Sequence, residues 1–368
     1  MPTNTNAGST ANGAARPTIL DLAAACGVSP ATVSNALADK PNVKASTREM
    51  VRRKAAEMGY HASATARGLR LGRSWSIGLV VGDIANPFVP EVVRGVEDVV
   101  WRARKNLILC NTDFQADKKT AYVRSLLDKN IEGLIVLSQV LSPSDMRLVE
   151  AADVPLVTVN RGTPGYTSDY VGIDNHAGVR MAMDYLVGLG HRRIGFIKGL
   201  PSSNSALDRF AAYTEAVERH GLDSDPSLVM PGDYDMESGD SGARAIMASA
   251  IPPTAIVAAN DQMALGALGA LHELGLRVPD DVSVVGFDNI QLAAHPLLNL
   301  TTINHPKRET GDAAARLLLQ RILGKMVDPP RSVVLKPSLI VRGSSGPPKP
   351  APAPKRKKSA TAKNKSDQ

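Results

Sequence analysis

The sequence predicts an α/β protein: an N-terminal all-α head built as a helix-turn-helix, followed by two doubly wound α/β lobes. Three observations predict it. Three short, capped helical patterns occupy the first seventy-odd residues, short apolar strands alternate with amphipathic helices from Trp75 onward, and charge divides the chain at the same place. Of a net charge of +7, residues 1–74 carry +6 and residues 343–368 another +6, which leaves the long middle at −5. A basic small domain on an acidic large one points to a phosphate-backbone reader attached to something with another task. With 368 residues, 43% of them hydrophobic, the chain can bury more than one core, and disorder throughout is excluded. No apolar run reaches the roughly 18 residues of a membrane helix, and the start MPTNTNAGSTANGAARP lacks a signal-peptide layout. A cytoplasmic protein with no membrane partner is expected. Cys26 and Cys110 alone make neither a zinc site nor a disulfide framework, so they are expected to be small buried apolar groups.

After a polar leader over residues 1–16, the run PTILDLAAACGVSPATVSNALADKPNV holds two short helices around a tight turn. Thr18 with Asp21 opens the first, Ile19, Leu22, Ala23 and Cys26 share one face, and Gly27 stands where the helix must stop. Ser29 caps the second, with Pro30 at its first position, where a missing N–H costs nothing. A third start is expected at Ser46-x-x-Glu49, a capping-box pattern, leading Met50, Val51, Ala55 and Met58 along one stripe to Gly59. The second helix points Val33 and Leu37 to the core and offers Ala31, Thr32, Ser34 and Asn35 outward. Such a small, polar face suits a major groove: hydroxyls reach phosphates, Asn35 can pair with adenine N6/N7, and Pro30 or Ala31 can touch a thymine methyl.

The run from TILDLAAACGVSPATVSNAL to RRKAAEMGY, followed by TARGLRLGRS and IGLVVGDIANPF, resembles the amino-terminal portion of the LacI-type (lactose/galactose repressor) family of bacterial transcription regulators. The likeness extends from Pro17 to Gly343. It implies that Ala31 and Asn35 occupy base-reading positions, and that Thr18, Ser29, Thr32, Asn42 and Thr47 lie at or near phosphates. At Asn35 the family most often has arginine, so a different operator half-site is implied. SATARGLRL matches the family's hinge helix. Leu69 then corresponds to a leucine wedged into the central minor-groove step, with Arg67 and Arg70 along the phosphates or the groove. Gly68 lowers helix propensity by up to about 1 kcal/mol, which suits a segment whose folding is tied to DNA.

In the middle, SIGLVV, NLILCN, GLIVLS, PLVTVN and YVGID form one set of buried strands, and RIGFIK, AIVAAN and VSVVGF a second. Two such sets imply two parallel sheets covered on both faces, and open sheets bind ligands at the carboxyl ends of their strands. Polar and aromatic residues cluster there: Asp83, Asn86 and Phe88, then Asn111 and Asp113, then Asn160 and Arg161 in the first lobe. In the second come Ser205, Arg209, Tyr234, Asn260 and Asp288. Carboxylates, amides and an arginine offer planar partners for vicinal hydroxyls, and a ring covers the apolar face of a sugar. The resemblance implies lobes like those of a periplasmic sugar-binding protein, joined by three crossovers. One would span about residues 75–189 plus 304–331, the other about 190–303 plus a last strand near 333–342. It also implies that Arg209, Asn260 and Asp288 contact the effector.

The expected organisation is therefore a disordered leader (1–16), a helix-turn-helix domain (17–62), a hinge helix and linker (63–74), a two-lobed effector and dimerisation domain (75–343), and a disordered basic tail (344–368). His191 in LGHRRIGFI is expected to order a loop. The chain has no HExxH, GxSxG or P-loop, and no GxGxxG follows a strand, so neither an enzyme nor a cofactor is expected. The expected function is a homodimeric DNA-binding repressor at the nucleoid, bound to a near-palindromic operator and controlled by a small-molecule effector, a sugar or sugar derivative. Two readings stay open beside it: a corepressor-dependent repressor of the purine-responsive kind, and a ligand-independent DNA binder.

Overall fold

The structure, a computed structural model, describes residues 17–60, 74–201, 203–324 and 329–349. Two compact units divide the chain, Met1–Ser74 and Trp75–Gln368.

In the first unit, α1 (Ile19–Cys26), α2 (Pro30–Leu37) and α3 (Ala45–Glu57) enclose a small core of Leu22, Ala23, Val33, Ala36, Val43, Val51 and Ala55. Thr18 and Asp21 form a reciprocal capping box, and Gly27 closes α1 in the left-handed conformation, φ +61°. The Ser29 hydroxyl caps α2 by accepting from Thr32 N at 3.1 Å. One expectation is corrected. α3 starts one residue before Ser46, with Lys44 at the cap position and no side-chain cap, so Ser46 and Glu49 form no capping box. In α2, Val33 is fully buried and Leu37 packs half-buried against the same core, as expected, with Ala36 fully buried between them.

The second unit holds two sheets. The first orders as β11 (Ser332–Leu335), β5 (Asp169–Ile173), β4 (Leu156–Val159), β3 (Gly133–Leu137), β1 (Ser76–Val81) and β2 (Asn106–Asn111), all parallel. Its strands are apolar at successive positions because both faces are covered. Ile77, Leu79 and Val81 pack towards α4 (Phe88–Arg102) and α11 (Lys307–Ile322), while Val80, Leu134 and Val136 pack towards α5 (Ala116–Asp128) and α6 (Pro143–Ala151).

The second sheet orders as β12 (Ser338–Ile340), β10 (Thr301–Asn304), β9 (Ser283–Asp288), β8 (Ala255–Ala258), β6 (Ile194–Ile197) and β7 (Val229–Met230), with β12 alone antiparallel. Around it pack α7 (Asn175–Leu189), α8 (Asn204–His220), α9 (Met236–Met247) and α10 (Asp261–Glu273).

The chain passes between lobes three times: from β5 to α7, from β10 to α11, and from β11 to β12. The expected lobe boundaries shift accordingly. α7 belongs to the second lobe, because Val179, Ala182, Met183 and Leu186 lie in that lobe's core. The expected single strand near 333–342 is two strands, one in each sheet. The expected tail also begins too early, because residues 344–349 are docked. The Ser344 hydroxyl donates to Val284 O and accepts from Thr301 N, and buried His191 donates through Nε2 to Gly346 O (2.9 Å). His191 thus orders the C-terminal segment, and burial holds its pKa below the ordinary histidine value. No described helix is long and apolar enough to cross a membrane.

Candidate functional site

On the head, Ser29, Pro30 and Ala31 are exposed at the start of α2, with Thr32, Ser34 and Asn35 half-exposed beyond them. The Ser29 and Thr32 hydroxyls lie 2.9 Å apart and share a hydrogen bond, while the Thr18 hydroxyl donates to Asp21 (2.7 Å). Asn42 is exposed before α3 and Thr47 half-buried within it. Arg48 and Arg52 converge on Asp39, whose backbone is left-handed (φ +55°), and this fixes the turn between α2 and α3. The start of α2 therefore presents small, exposed or half-exposed side chains on a helix held at both ends. Arg67, Leu69 and Arg70 lie outside the described residues.

In the second unit, a cavity of about 320 Å³ opens between the lobes at the carboxyl ends of both sheets. Ten of the twelve expected ligand residues line it: Asp83, Asn86, Phe88, Asn160, Arg161, Ser205, Arg209, Tyr234, Asn260 and Asp288. Asn111 and Asp113 do not. Asn111 accepts from Ile84 N (2.9 Å) and donates to Asp113 (2.6 Å), which pairs with Lys118, so the two brace the loop after β1 behind the wall. Sequence reasoning missed Phe114, Ser138, Leu200, Ser203, Asp233 and Asp235. Phe114 had one signal, the glycine after β1: a Cβ on Gly82 would lie 2.4 Å from the Phe114 ring. The same device seats Tyr234 on Gly199, at 2.2 Å, in the other lobe.

Arg209, rooted on α8 and 5% exposed, anchors the floor. Its Nε donates to Asn175 Oδ1 (2.8 Å), Nη1 to Ala259 O, and Nη2 lies 3.8 Å from Asp288; the guanidinium covers the Phe287 ring at 3.6 Å. Asp288 has φ +113°, a strained conformation for an aspartate, and the ammonium of Lys307 donates to the carbonyls of Asp288 (2.6 Å) and Asn289 (2.7 Å), holding the turn. Burial raises the Asp288 carboxyl to about 6, against the pull of Arg209 and Lys307. Behind it, fully buried Asp261 is raised to about 8 by burial and then by Asp288. Asn260 caps α10 through Oδ1 to Met263 N (2.9 Å) and donates from Nδ2 to Tyr234 O (3.0 Å), which leaves one N–H and one lone pair for a ligand.

Four more lining residues have left-handed backbone: Phe114 (φ +57°), Ser138 (+56°), Asn160 (+61°) and Tyr234 (+68°). With Asp288 they concentrate backbone strain of about 1–3 kcal/mol per residue around one cavity, as binding sites do. Among the described residues, two buried polar atoms there have no partner, Asn160 Oδ1 and Arg161 Nε. Phe88 closes the inner end, edge-on to buried His305 at 4.8 Å. The arrangement offers a small polar molecule donors and acceptors from both lobes and aromatic faces at its rim.

The family description "Bacterial regulatory proteins, lacI family" matches residues 18–63, and "Periplasmic binding protein-like domain" matches residues 183–345. The HTH-type transcriptional repressor PurR of Yersinia enterocolitica is 36% identical over 330 residues, covering 89% of this chain and 96% of its own length. PurR of Pasteurella multocida is 33% identical over 329 residues, covering 89% and 98%. Among solved structures, the lac repressor dimer bound to operator and the anti-inducer ONPF superposes with a TM-score of 0.80 at 30% identity, covering 90% of this chain and 99% of that one. The transcriptional regulator CelR in complex with cellobiose gives 0.69 at 32%, covering 90% and 100%.

Proposed function

The chain belongs to the LacI family of bacterial regulatory proteins, and on that footing we propose that it is a homodimeric repressor whose operator affinity is set by a small molecule of the sugar class bound between its lobes. The observation that carries the ligand half is the cleft, where ten residues singled out for ligand chemistry converge from both lobes around strained backbone. Carboxylates, amides and two arginines there match vicinal hydroxyls, and the Phe114 and Tyr234 rings can cover apolar faces. On the DNA side, Ser29, Pro30, Ala31, Thr32, Ser34 and Asn35 supply groove-facing chemistry on α2, with Thr18, Asn42 and Thr47 at the phosphates. Residues 63–74 act as the hinge, Leu69 opening the central base step and Arg67 and Arg70 neutralising phosphate. Ligand changes lobe closure, which changes hinge spacing; such coupling is worth about 1–3 kcal/mol.

A purine corepressor is the second reading, favoured by the PurR relatives and by flat rings on both walls of the cavity. Operator selection from random DNA by the purified protein, alone and with sugars or purine bases, separates the two. A palindrome enriched without ligand and lost with one sugar establishes the first reading. Enrichment only with a purine establishes the second, and no palindrome at all overturns the hinge argument.

A further inference from the structure

Among the described residues, the cations around the cleft are answered by the protein in every case but one. Arg209 has Asn175, Ala259 and Asp288; Lys307 has the carbonyls of Asp288 and Asn289; Lys119 donates to Val140 O. Arg161, at the end of β4 on the first lobe's wall, has no hydrogen-bond or ion-pair partner among the described residues, and its Nε is shut off from solvent. Lys119 stands near enough to repel it.

None of the carboxylates on hand forms an ion pair with Arg161 among the described residues. Asp83 accepts from Ala85 N (2.8 Å), Asp235 caps α9 through Ser238 N (2.8 Å), Asp145 accepts from Ser142 N in the capping box of α6 (3.1 Å), and Asp233 lines the cavity without pairing to Arg161. A guanidinium does not shed its proton, so a half-buried one without a counter-ion leaves the wall electrostatically unfinished. Its fork matches a carboxylate or phosphate through two parallel hydrogen bonds, which a neutral hydroxyl cannot reproduce.

We propose that the effector is an anion, a sugar acid or a sugar phosphate ester, whose charged group is held by Arg161. This rests on the ligand-switch reading above and sharpens it. The test is calorimetric titration of the full-length protein with glucose, galactose and ribose, with the uronic and aldonic acids and phosphate esters of each, and with hypoxanthine. The expected result is that one acid or ester binds at least about tenfold more tightly than its neutral parent. Preference for the acid identifies a carboxylate, preference for the ester a phosphate. Arg161→Met abolishes the preference and Arg161→Lys restores part of it. A neutral sugar or hypoxanthine that binds as tightly as every anion overturns the proposal while sparing the ligand switch, as does a preference unchanged in Arg161→Met. Silence across the whole panel overturns both.

Discussion

The Ser205 hydroxyl donates to the carbonyl oxygen of Asn160 across 3.0 Å, a hydrogen bond with one end in each lobe. Ser205 rides on the first turn of α8, and Asn160 sits in left-handed backbone just past β4. The bond ties the lobes at the edge of the cavity, where closure is decided. Ser205→Ala is expected to cost about 0.5–1.5 kcal/mol of closure, and so to weaken effector binding about two- to tenfold. Titration of operator release against ligand measures it, and an unchanged midpoint would place the hinge elsewhere.

Arg209 and Asp288 are each buried, so removing one strands the other. Arg209→Gln is expected to destabilise the effector domain by about 3–5 kcal/mol and to abolish the ligand response. Adding Asp288→Asn should return part of the stability and none of the response. Urea denaturation of the singles and the double closes the cycle; simple additivity would show that the two residues are not coupled.

Asp261 has its folded pKa raised to about 8, chiefly by burial, against an unfolded value near 4. Between those values the native state holds a proton that the unfolded state lacks, so stability falls as pH rises through that window. Asp261→Asn mimics the protonated acid, with its oxygen accepting from Ile290 N and its amide donating to Thr302. The variant should exceed the parent by a margin that grows from pH 5 to pH 9, the two converging only below about pH 4. Denaturation curves at the two pH values decide, and a variant weaker at both would mean that the carboxylate is the native form.

Asn35→Ala should lower discrimination by about 1–3 kcal/mol at one base pair per half-site and leave non-specific binding nearly unchanged. Competition binding against single-base operator variants reads this out. Equal weakening on every sequence would move Asn35 from base edge to phosphate.

Ser344, Ser345 and Gly346 fill acceptors and donors on β9, β10, α7 and the loop after it through Val284, Thr301, Tyr185, Ser283 and His191. A chain ended after Gly343 should therefore unfold about 3–5 kcal/mol more easily than one ended after Lys349, since several buried groups lose partners. Matching melting curves would show that the segment is dispensable.

The head was legible in the sequence nearly to the residue, because caps such as Thr18 and Ser29 act within one turn. At Ser46 the same local logic failed by one position, since the chain entering α3 is set by Val43 packing in the core rather than by a cap. Strands were legible as apolar runs, and the cleft residues as polar groups following them. Asn111 and Asp113 misled because an amide or carboxylate after a strand braces loops as readily as it binds ligands. Phe114 was missed because its seat, Gly82, is distant in sequence. The lobe to which α7 belongs depends on which sheet its apolar face finds, and nothing in its own sequence states that.

The three passages between lobes govern the order in which the protein comes into being. The first lobe lacks α11 and the edge strand β11 until residue 335 has been made, and the second lacks β12 until residue 340. The head, with a core of its own, is complete by residue 60. At synthesis rates of about 5–20 residues per second, a nascent chain therefore carries a finished head for roughly 15–60 s before either lobe can close. During that interval the ribosome-bound chain has its DNA-reading surface but no switch to govern it.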